Sequence, residues 1–248
     1  MLQQIDIHQI LFIDIETVSQ KQAFGELNDN FKSLWEIKAK QLLKPSDDEN
    51  MEEFNENSYQ NRAAIFAEFG KIVCISVGFV ATKNDITSAK FKSFVGEDEK
   101  QLLADFSLLM NNYYNNPDKQ FICGHNLKEF DVPYICRRML IHQLPLPKML
   151  DLHGKKPWET KHLLDTMELW KFGDGKAFSS LKLLTAVFDI PSPKDDIDGS
   201  QVGKVFWEEN DLPRIAKYCE KDVLAVMQIL LRFQNQPILT TNQIIFSY

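Results

Sequence analysis

Short apolar runs that alternate with longer stretches of helical periodicity constrain the fold of this chain most strongly. Four runs rich in β-branched and aromatic residues are predicted as strands, at residues 10–16, 71–82, 86–95 and 121–126. Residues 83–85 suit a tight turn, so we expect at least one antiparallel hairpin. The pattern indicates an α/β domain with a central mixed sheet flanked by helices.

Helices are predicted over residues 97–114, 131–142, 180–188, 201–209 and 212–233. The last is the best defined, because Asp211 can cap it, Pro213 falls in its first turn and apolar residues recur along it. Residues 17–70 are predicted as a mostly helical, polar surface insertion, and residues 144–161 as an irregular loop rich in Pro, Lys and His. We expect residues 1–248 to form a single domain.

The composition limits the class of protein. The net charge of −7 argues against broad, non-specific binding to a polyanion, but it leaves room for a local nucleic-acid site. We expect a soluble protein with no secretory signal, because no apolar run approaches the ~18 residues of a spanning helix and no basic leader precedes an apolar stretch. The 4 cysteines form no C-x-x-C pair and are read as reduced thiols, which predicts a cytoplasmic protein.

Two carboxylates stand near the end of the first predicted strand, in Phe12-Ile13-Asp14-Ile15-Glu16-Thr17. Side chains alternate across a strand, so Asp14 and Glu16 point to one face while Ile13 and Ile15 point to the other. A pair of carboxylates on an exposed edge strand would show the same pattern. This motif alone therefore does not establish a functional site.

Two further acidic positions lie far away in the sequence. Asp131 follows the fourth predicted strand and the segment 124–130, at the carboxyl end of the sheet, where open α/β folds place their sites; it could equally cap the next helix. Tyr218 and Asp222 lie one turn apart on the last helix, beside apolar residues. Asp222 either has a buried partner or is a surface residue beside Lys221.

Taken together, these positions resemble the motif set of the DEDD superfamily of 3′–5′ exonucleases. The acidic members are Asp14, Glu16, Asp131 and Asp222, and Tyr218 matches the tyrosine-type branch. The histidine-type branch has His five residues before the last Asp, where this chain has Lys217. The chain is also similar to stand-alone bacterial relatives of the proofreading exonuclease domain of family B DNA polymerases, through segments 164–170, 180–184, 191–194 and 198–202.

The resemblance implies a ribonuclease H-like fold and hydrolysis of phosphodiester bonds at 3′ ends by a two-metal mechanism, with release of nucleoside 5′-monophosphates. Oxygen ligands without Cys or His at metal spacing favour Mg²⁺ or Mn²⁺ over Zn²⁺. By the resemblance, Asp14 bridges two ions, Glu16 and Asp222 complete the shell of one, and Asp131 holds the other through water. Tyr218 would orient the attacking water, because a free phenol titrates near ~10.

A groove that binds a nucleic-acid strand needs cationic side chains for the phosphates and aromatic rings for the bases. Candidates for substrate binding are Asn126, Thr17, Lys182 and Trp158, together with Lys155, Lys156, Lys161 and Lys194. Arg137 and Arg138 could reach a phosphate, although a helix surface commonly carries such a pair. Taken alone, each lysine is more simply an ordinary surface residue, and Trp158 a residue that covers an edge of the core.

The expected partner is a nucleic acid with a 3′ end, single-stranded DNA by the resemblance, with no membrane. Only 26 residues follow Asp222, so we expect no polymerase domain in this chain, and a repair or replication protein could deliver the strand end. An exoribonuclease of the same superfamily and a non-catalytic module that binds nucleic acid or a protein are the alternatives.

Overall fold

The computed structural model describes residues 2–45, 50–84, 86–191 and 197–246. Its six-stranded mixed sheet has the order β5-β4-β1-β2-β3-β6. The strands are β1 (Ile10–Ser19), β2 (Gly70–Lys83), β3 (Ile86–Val95), β4 (Phe121–Gly124), β5 (Leu163–Asp165) and β6 (Ile244–Ile245). The strand β1 pairs antiparallel with β2 and parallel with β4, and β2 pairs antiparallel with β3. The predicted mixed sheet and its hairpin are therefore confirmed.

Eight α-helices lie in the described part of the chain. They are α1 (Asp29–Leu42), α2 (Met51–Arg62), α3 (Glu99–Tyr113), α4 (Asp131–Ile141), α5 (Thr166–Lys171), α6 (Leu181–Val187), α7 (Val202–Lys204) and α8 (Leu212–Phe233). The helix α8 has the predicted ends, and the Asp211 side chain caps it by accepting a hydrogen bond from the backbone N–H of Arg214. None of the described helices is long and apolar enough to span a membrane.

The sheet has an apolar core on each face. Leu11, Ile13 and Ile15 of β1 pack on one side with the apolar residues of α3 and α4. Ile10 and Phe12, which alternate with them, pack on the other side against α8. The alternation predicted for β1 is thus confirmed, and the face that carries Asp14 and Glu16 is the face that α8 covers.

Four parts of the chain differ from the prediction. The strands β5 and β6 and the helix α5 were not predicted. The helix expected over residues 201–209 is the three-residue α7 followed by a π-helical segment, Val205–Glu209. The insertion expected to begin at residue 17 starts later, because β1 continues to Ser19.

The described part of the insertion contains α1 and α2, and it also has an apolar core of its own. Trp35 of α1 and Tyr59 of α2 are fully buried in this core, with ring centroids 5.3 Å apart and edge-to-face geometry. The Trp35 indole N–H donates a hydrogen bond to the Ser58 hydroxyl at 3.1 Å. The insertion is therefore a folded element rather than a solvated surface stretch.

The four cysteines are free thiols, as the reduced state predicted from the sequence requires. Cys74, Cys123 and Cys219 are buried, and Cys136 is partly buried. Cys123 packs as a small apolar residue beneath α8. Cys219 instead lies beside the acidic residues described below.

Candidate active site

The first two carboxylates are held by the central strand of the sheet. Asp14 of β1 is partly exposed, whereas the Glu16 side chain is 7% exposed. The register between β1 and β2 shifts directly after Glu16, which pairs with Cys74 while Thr17 pairs with Ile72. The shift leaves Val73 of β2 without an opposite residue in β1, and irregularities of this kind are common beside active sites.

Asp131 reaches the same place from the neighbouring parallel strand. After β4, the chain turns at Asn126, whose φ of 61° lies in the left-handed region that Asn tolerates better than most residues. The turn leads into α4, whose first residue is Asp131, and that side chain is only 3% exposed. It accepts a hydrogen bond from the backbone N–H of Ile15, which ties it to β1 between the first two carboxylates.

The helix α8 supplies the remaining groups from the opposite side. The Tyr218 hydroxyl donates a hydrogen bond to Asp222, one helical turn further along. Cys219, next to Tyr218, has its Sγ 3.4 Å from Oδ2 of Asp14 and 3.4 Å from the backbone oxygen of Asp14. The strand β1 and the helix α8 are therefore joined at the position of the acidic residues.

Electrostatic interactions connect the four carboxylates, although among the described residues the group whose ligand atoms lie within 4.8 Å of one another contains only Asp14, Glu16 and Cys219. We call the four carboxylates the acidic pocket. Burial raises the pKa of Asp14 well above its usual range, and the charges of Asp131 and Asp222 raise it further. Burial likewise raises the pKa of Glu16, with further contributions from Asp14 and Asp222. For Asp131, burial is the main cause of a pKa raised to about 7. The pocket thus resists ionisation unless positive charge enters it.

Tyr218 responds to the same negative charges. Burial raises the pKa of its phenol well above the usual range, and the carboxylates of Asp222 and Glu16 raise it further. The phenol is therefore protonated at neutral pH. It is a hydrogen-bond donor at the edge of the pocket and not a base.

The donor set fits a hard divalent cation. Carboxylate oxygens of Asp14 and Glu16 and the Sγ of Cys219 all lie within 4.8 Å of one another. Burial raises the pKa of the Cys219 thiol well above its usual range, so Cys219 donates to Asp14 as a neutral thiol and is not a thiolate ligand. Across the described ranges, no Lys or Arg forms an ion pair with Asp14, Glu16 or Asp131. Oxygen donors lacking such a counter-charge suit Mg²⁺ or Mn²⁺.

The residues predicted to bind substrate lie in different settings. Asn126 is in the turn before α4, and its backbone N–H donates to Asp165. Thr17 is half-buried, and its hydroxyl hydrogen-bonds to Tyr134, which links β1 to α4. Trp158 is 62% exposed and lines a groove of about 1410 Å³ beside β5. Lys182 is exposed on α6, and Lys194 lies outside the described residues.

Arg138 does not provide the phosphate contact that the sequence suggested. Its side chain is buried, and its Nε lies 2.9 Å from Oε1 of Glu99. Its Nη1 donates to the backbone oxygen of Ala67 at 2.7 Å. Arg138 therefore joins α4, α3 and the end of the insertion, and the prediction of a role at the strand phosphate was wrong.

Sequence reasoning missed the contacts of two residues beside the turn that leads to Asp131. Asp165, at the end of β5, accepts hydrogen bonds at 3.0 Å from the backbone N–H groups of Asn126 and Lys128, and it also caps α5. His125 contacts the Thr166 hydroxyl and the backbone oxygen of Ser179, each at 2.9 Å. Asp165 lies between two apolar residues and a helical pattern, which indicates a helix cap. Its contact with residues 126–128 cannot be read from the neighbouring sequence.

Comparisons with known proteins agree with this architecture. A family model described as a predicted 3′–5′ exonuclease related to the exonuclease domain of PolB matches residues 64–241. That interval contains Asp131, Tyr218 and Asp222, whereas Asp14 and Glu16 precede it. No curated protein matches the chain.

Among solved structures, the chain is similar to the family B DNA polymerase from the hyperthermophilic archaeon Pyrobaculum calidifontis. The TM-score is 0.55 and the sequence identity 16%, over 90% of this chain and 24% of the polymerase chain. This chain therefore spans about a quarter of the polymerase. The likeness confirms the predicted ribonuclease H-like fold.

Proposed function

Because the chain belongs to the family of predicted 3′–5′ exonucleases related to the exonuclease domain of PolB, we propose that it is a metal-dependent 3′–5′ exonuclease. It would hydrolyse the last phosphodiester bond of a strand and release a nucleoside 5′-monophosphate. One observation carries this proposal: carboxylates from β1, α4 and α8 interact with one another beside the Tyr218 hydroxyl. No fold requires such crowding for its own stability, because each added carboxylate makes the others harder to ionise.

We propose Asp14, Glu16, Asp131 and Asp222 as the ligands of two Mg²⁺ or Mn²⁺ ions. When bound, such ions lower the pKa of a water molecule and stabilise negative charge on the leaving oxygen. The carboxylates could not accept a phosphate without a cation, because two like charges about 4 Å apart repel by about 4 kcal/mol at an effective dielectric constant of ~20.

Residues of the chain are proposed to position the attacking water and the Asp131 carboxylate. Tyr218 is proposed to orient the attacking water by a hydrogen bond that the phenol oxygen accepts, because its one O–H donates to Asp222 and its raised pKa keeps the phenol protonated. Asp222 accepts from Tyr218 and so fixes the direction of the phenol. Asp165 and the Asn126 turn set where α4 begins, and hence where the Asp131 carboxylate lies.

DNA is the proposed substrate, and the support for it is the relation of the family to the exonuclease domain of PolB. Asn126, Thr17, Lys182 and Trp158 remain the proposed substrate contacts. Of these, Trp158 and Lys182 have side chains free enough to meet a strand, whereas Thr17 is engaged with Tyr134.

The test is a cleavage assay on DNA and RNA oligonucleotides of one sequence, each labelled at the 5′ end, with Mg²⁺, Mn²⁺ or EDTA. We expect stepwise shortening from the 3′ end, dependent on metal, and faster on DNA. Asp14→Asn and Asp222→Asn should abolish it, whereas Asp105→Asn, at an exposed acidic residue of α3, should not.

Each other outcome has a distinct meaning. Faster shortening of RNA would identify an exoribonuclease. Full activity of both active-site variants would refute the proposed site. Oligonucleotide binding without cleavage under any metal condition would indicate the non-catalytic module and refute the exonuclease.

A further inference from the structure

Two exposed phenylalanines follow α5. Phe172 is 91% exposed and Phe178 is 65% exposed. Phe172 also has a φ of 44°, in the left-handed region that a residue with a Cβ seldom adopts, and Gly173 follows with a φ of 87°. The backbone is thus held in an unfavourable conformation that leaves a large apolar ring in solvent. Neither ring contributes to a buried core of the described residues.

The charge around these rings is opposite to that of the whole protein. Residues 171–182 contain three lysines, Lys171, Lys176 and Lys182, and one acidic residue, Asp174, whereas the chain as a whole has a net charge of −7. The Nζ of Lys171 lies 3.8 Å from the ring centroid of Phe178, which is cation–π geometry. We call Lys171, Phe172 and Phe178 the aromatic platform.

The aromatic platform is fixed to the loop that carries the acidic pocket. The His125 ring contacts the backbone oxygen of Ser179, next to Phe178, and the hydroxyl of Thr166 at the start of α5. His125 itself lies between β4 and the Asn126 turn, which leads to Asp131. Lys171 and Phe172 also line the groove beside β5, together with Lys128 of that same loop.

We propose that the aromatic platform stacks the unpaired bases of a nucleic-acid strand whose 3′ end lies in the carboxylate pocket. The inference rests on the proposed exonuclease and adds a binding surface for the strand outside the carboxylate pocket. Aromatic faces beside cations are the means by which proteins hold single strands without reading their sequence. In a duplex, the faces of the bases are already stacked and are not available to Phe172 or Phe178.

An apolar protein segment is the competing occupant of these rings. The lysines argue for the nucleic acid, because the contact between Lys171 and Phe178 places a cation on the ring that a base would cover. A phosphate next to a stacked base would meet this charge, whereas an apolar segment would have to bury it.

The test compares the kcat and KM of the whole protein for two substrates of different length. One is a single-stranded DNA oligonucleotide about 20 nucleotides long, enough to extend from the pocket over the platform. The other is a DNA dinucleotide, which fills the pocket only. The variant is Phe172→Ala/Phe178→Ala, and the matched control is Tyr113→Ala, whose side chain is 69% exposed at the end of α3.

We expect the KM of the long strand to rise between roughly fivefold and a hundredfold in the double variant, the range that base stacking on aromatic residues gives. Its kcat, and both constants for the dinucleotide, should remain those of the wild type. Phe172→Tyr/Phe178→Tyr should restore the KM, because a phenol ring stacks as a phenyl ring does. Tyr113→Ala should have no effect.

An unchanged KM of the long strand in the double alanine variant would overturn the platform, and would leave a protein segment as the occupant of the rings. An equal rise in the KM of the dinucleotide would also overturn the platform, because the substitutions would then act on the pocket. Failure of the proposed exonuclease looks different: the wild type would cleave neither substrate.

Discussion

Replacing Asp131 with Asn tests the electrostatics of the pocket directly. Asp131 is 3% exposed, and its pKa is raised from 3.8 to about 7, chiefly by burial and then by the charge of Asp165. Asn has nearly the same shape, and its carbonyl oxygen can still accept the hydrogen bond from Ile15. The substitution therefore removes the ionisation of Asp131 and little else.

The sign of the effect follows from the direction of the shift. A carboxyl whose pKa is raised by folding binds its proton more tightly in the folded state, so its contribution to the free energy of unfolding is greatest below pH 3.8 and is lost as the pH rises to about 7. A shift of about 3 pH units corresponds to about 4 kcal/mol as an upper bound. The amide of the Asp131→Asn variant does not titrate and therefore escapes this loss.

The measurement is urea unfolding of the wild type and Asp131→Asn in EDTA, repeated across the pH range. We expect similar free energies of unfolding near pH 4, and an Asn variant that becomes the more stable one, by up to about 4 kcal/mol, between about pH 4 and 7. The exposed Asp118 provides the matched control, and Asp118→Asn should follow the wild type at every pH.

Added Mn²⁺ should reverse the order of stability. A ligand that binds only the folded state stabilises it in proportion to the logarithm of its concentration, and the variant lacks one proposed ligand. An Asn variant that is less stable than the wild type at pH 8 in EDTA would refute the reasoning, because burial would then not oppose the charge on Asp131. If Mn²⁺ raised the free energy of unfolding of both proteins equally, Asp131 would not be a metal ligand.

Three further substitutions test other parts of the structure. Tyr218→Phe should slow cleavage while keeping the stabilisation by Mn²⁺, as measured by kcat and by thermal unfolding; loss of both would make Tyr218 structural. Arg138→Met leaves Glu99 buried without its arginine partner. The substitution should lower the free energy of unfolding by roughly 3–5 kcal/mol. A change below about 1 kcal/mol would show that the pair contributes little. Asp165→Ala removes the acceptor of the Asn126 and Lys128 N–H groups. It should lower the free energy of unfolding in urea by roughly 3 kcal/mol and remove most of the cleavage rate. Wild-type activity would show that Asp131 needs no such support.

The long elements of this fold could be predicted because their signals are local. The helix α8 has its cap, its first-turn proline and its apolar face within one segment, and β2 and β3 are each long enough to show strand composition. The strand β5 has only three residues, Leu163–Asp165, and it exists because it pairs with β4, about forty positions earlier in the chain. No local pattern of that length separates a strand from a loop.

The acidic pocket shows the same division between local and distant information. Each carboxylate was ambiguous in its own segment, and only a comparison of three segments made the set recognisable. The neighbours that tune the pocket were not predicted, because Cys219 contacts Asp14 across 205 positions and Asp165 contacts Asn126 across 39 positions. Arg138 shows the converse error, since nothing around it in the sequence reveals that Glu99 lies opposite and buries it.

The proposed function requires a pocket of carboxylates in an acidic protein to receive a polyanion, and the structure suggests how this conflict is resolved. At physiological ionic strength, charges more than about 8–10 Å apart at the surface are largely screened, so the net charge of −7 matters less to a strand than the groups it touches. On the proposed path of the strand those groups are lysines and exposed rings at residues 171–182, while burial raises the pKa of Asp14, Glu16 and Asp131, so that these carboxyls resist ionisation until a cation enters. In the proposed complex, repulsion between strand and protein would be greatest at the carboxylates, where bound cations would cancel it. Affinity for the strand can come from surface residues that take no part in the chemistry, and this is why the platform and the pocket should be separable by mutation.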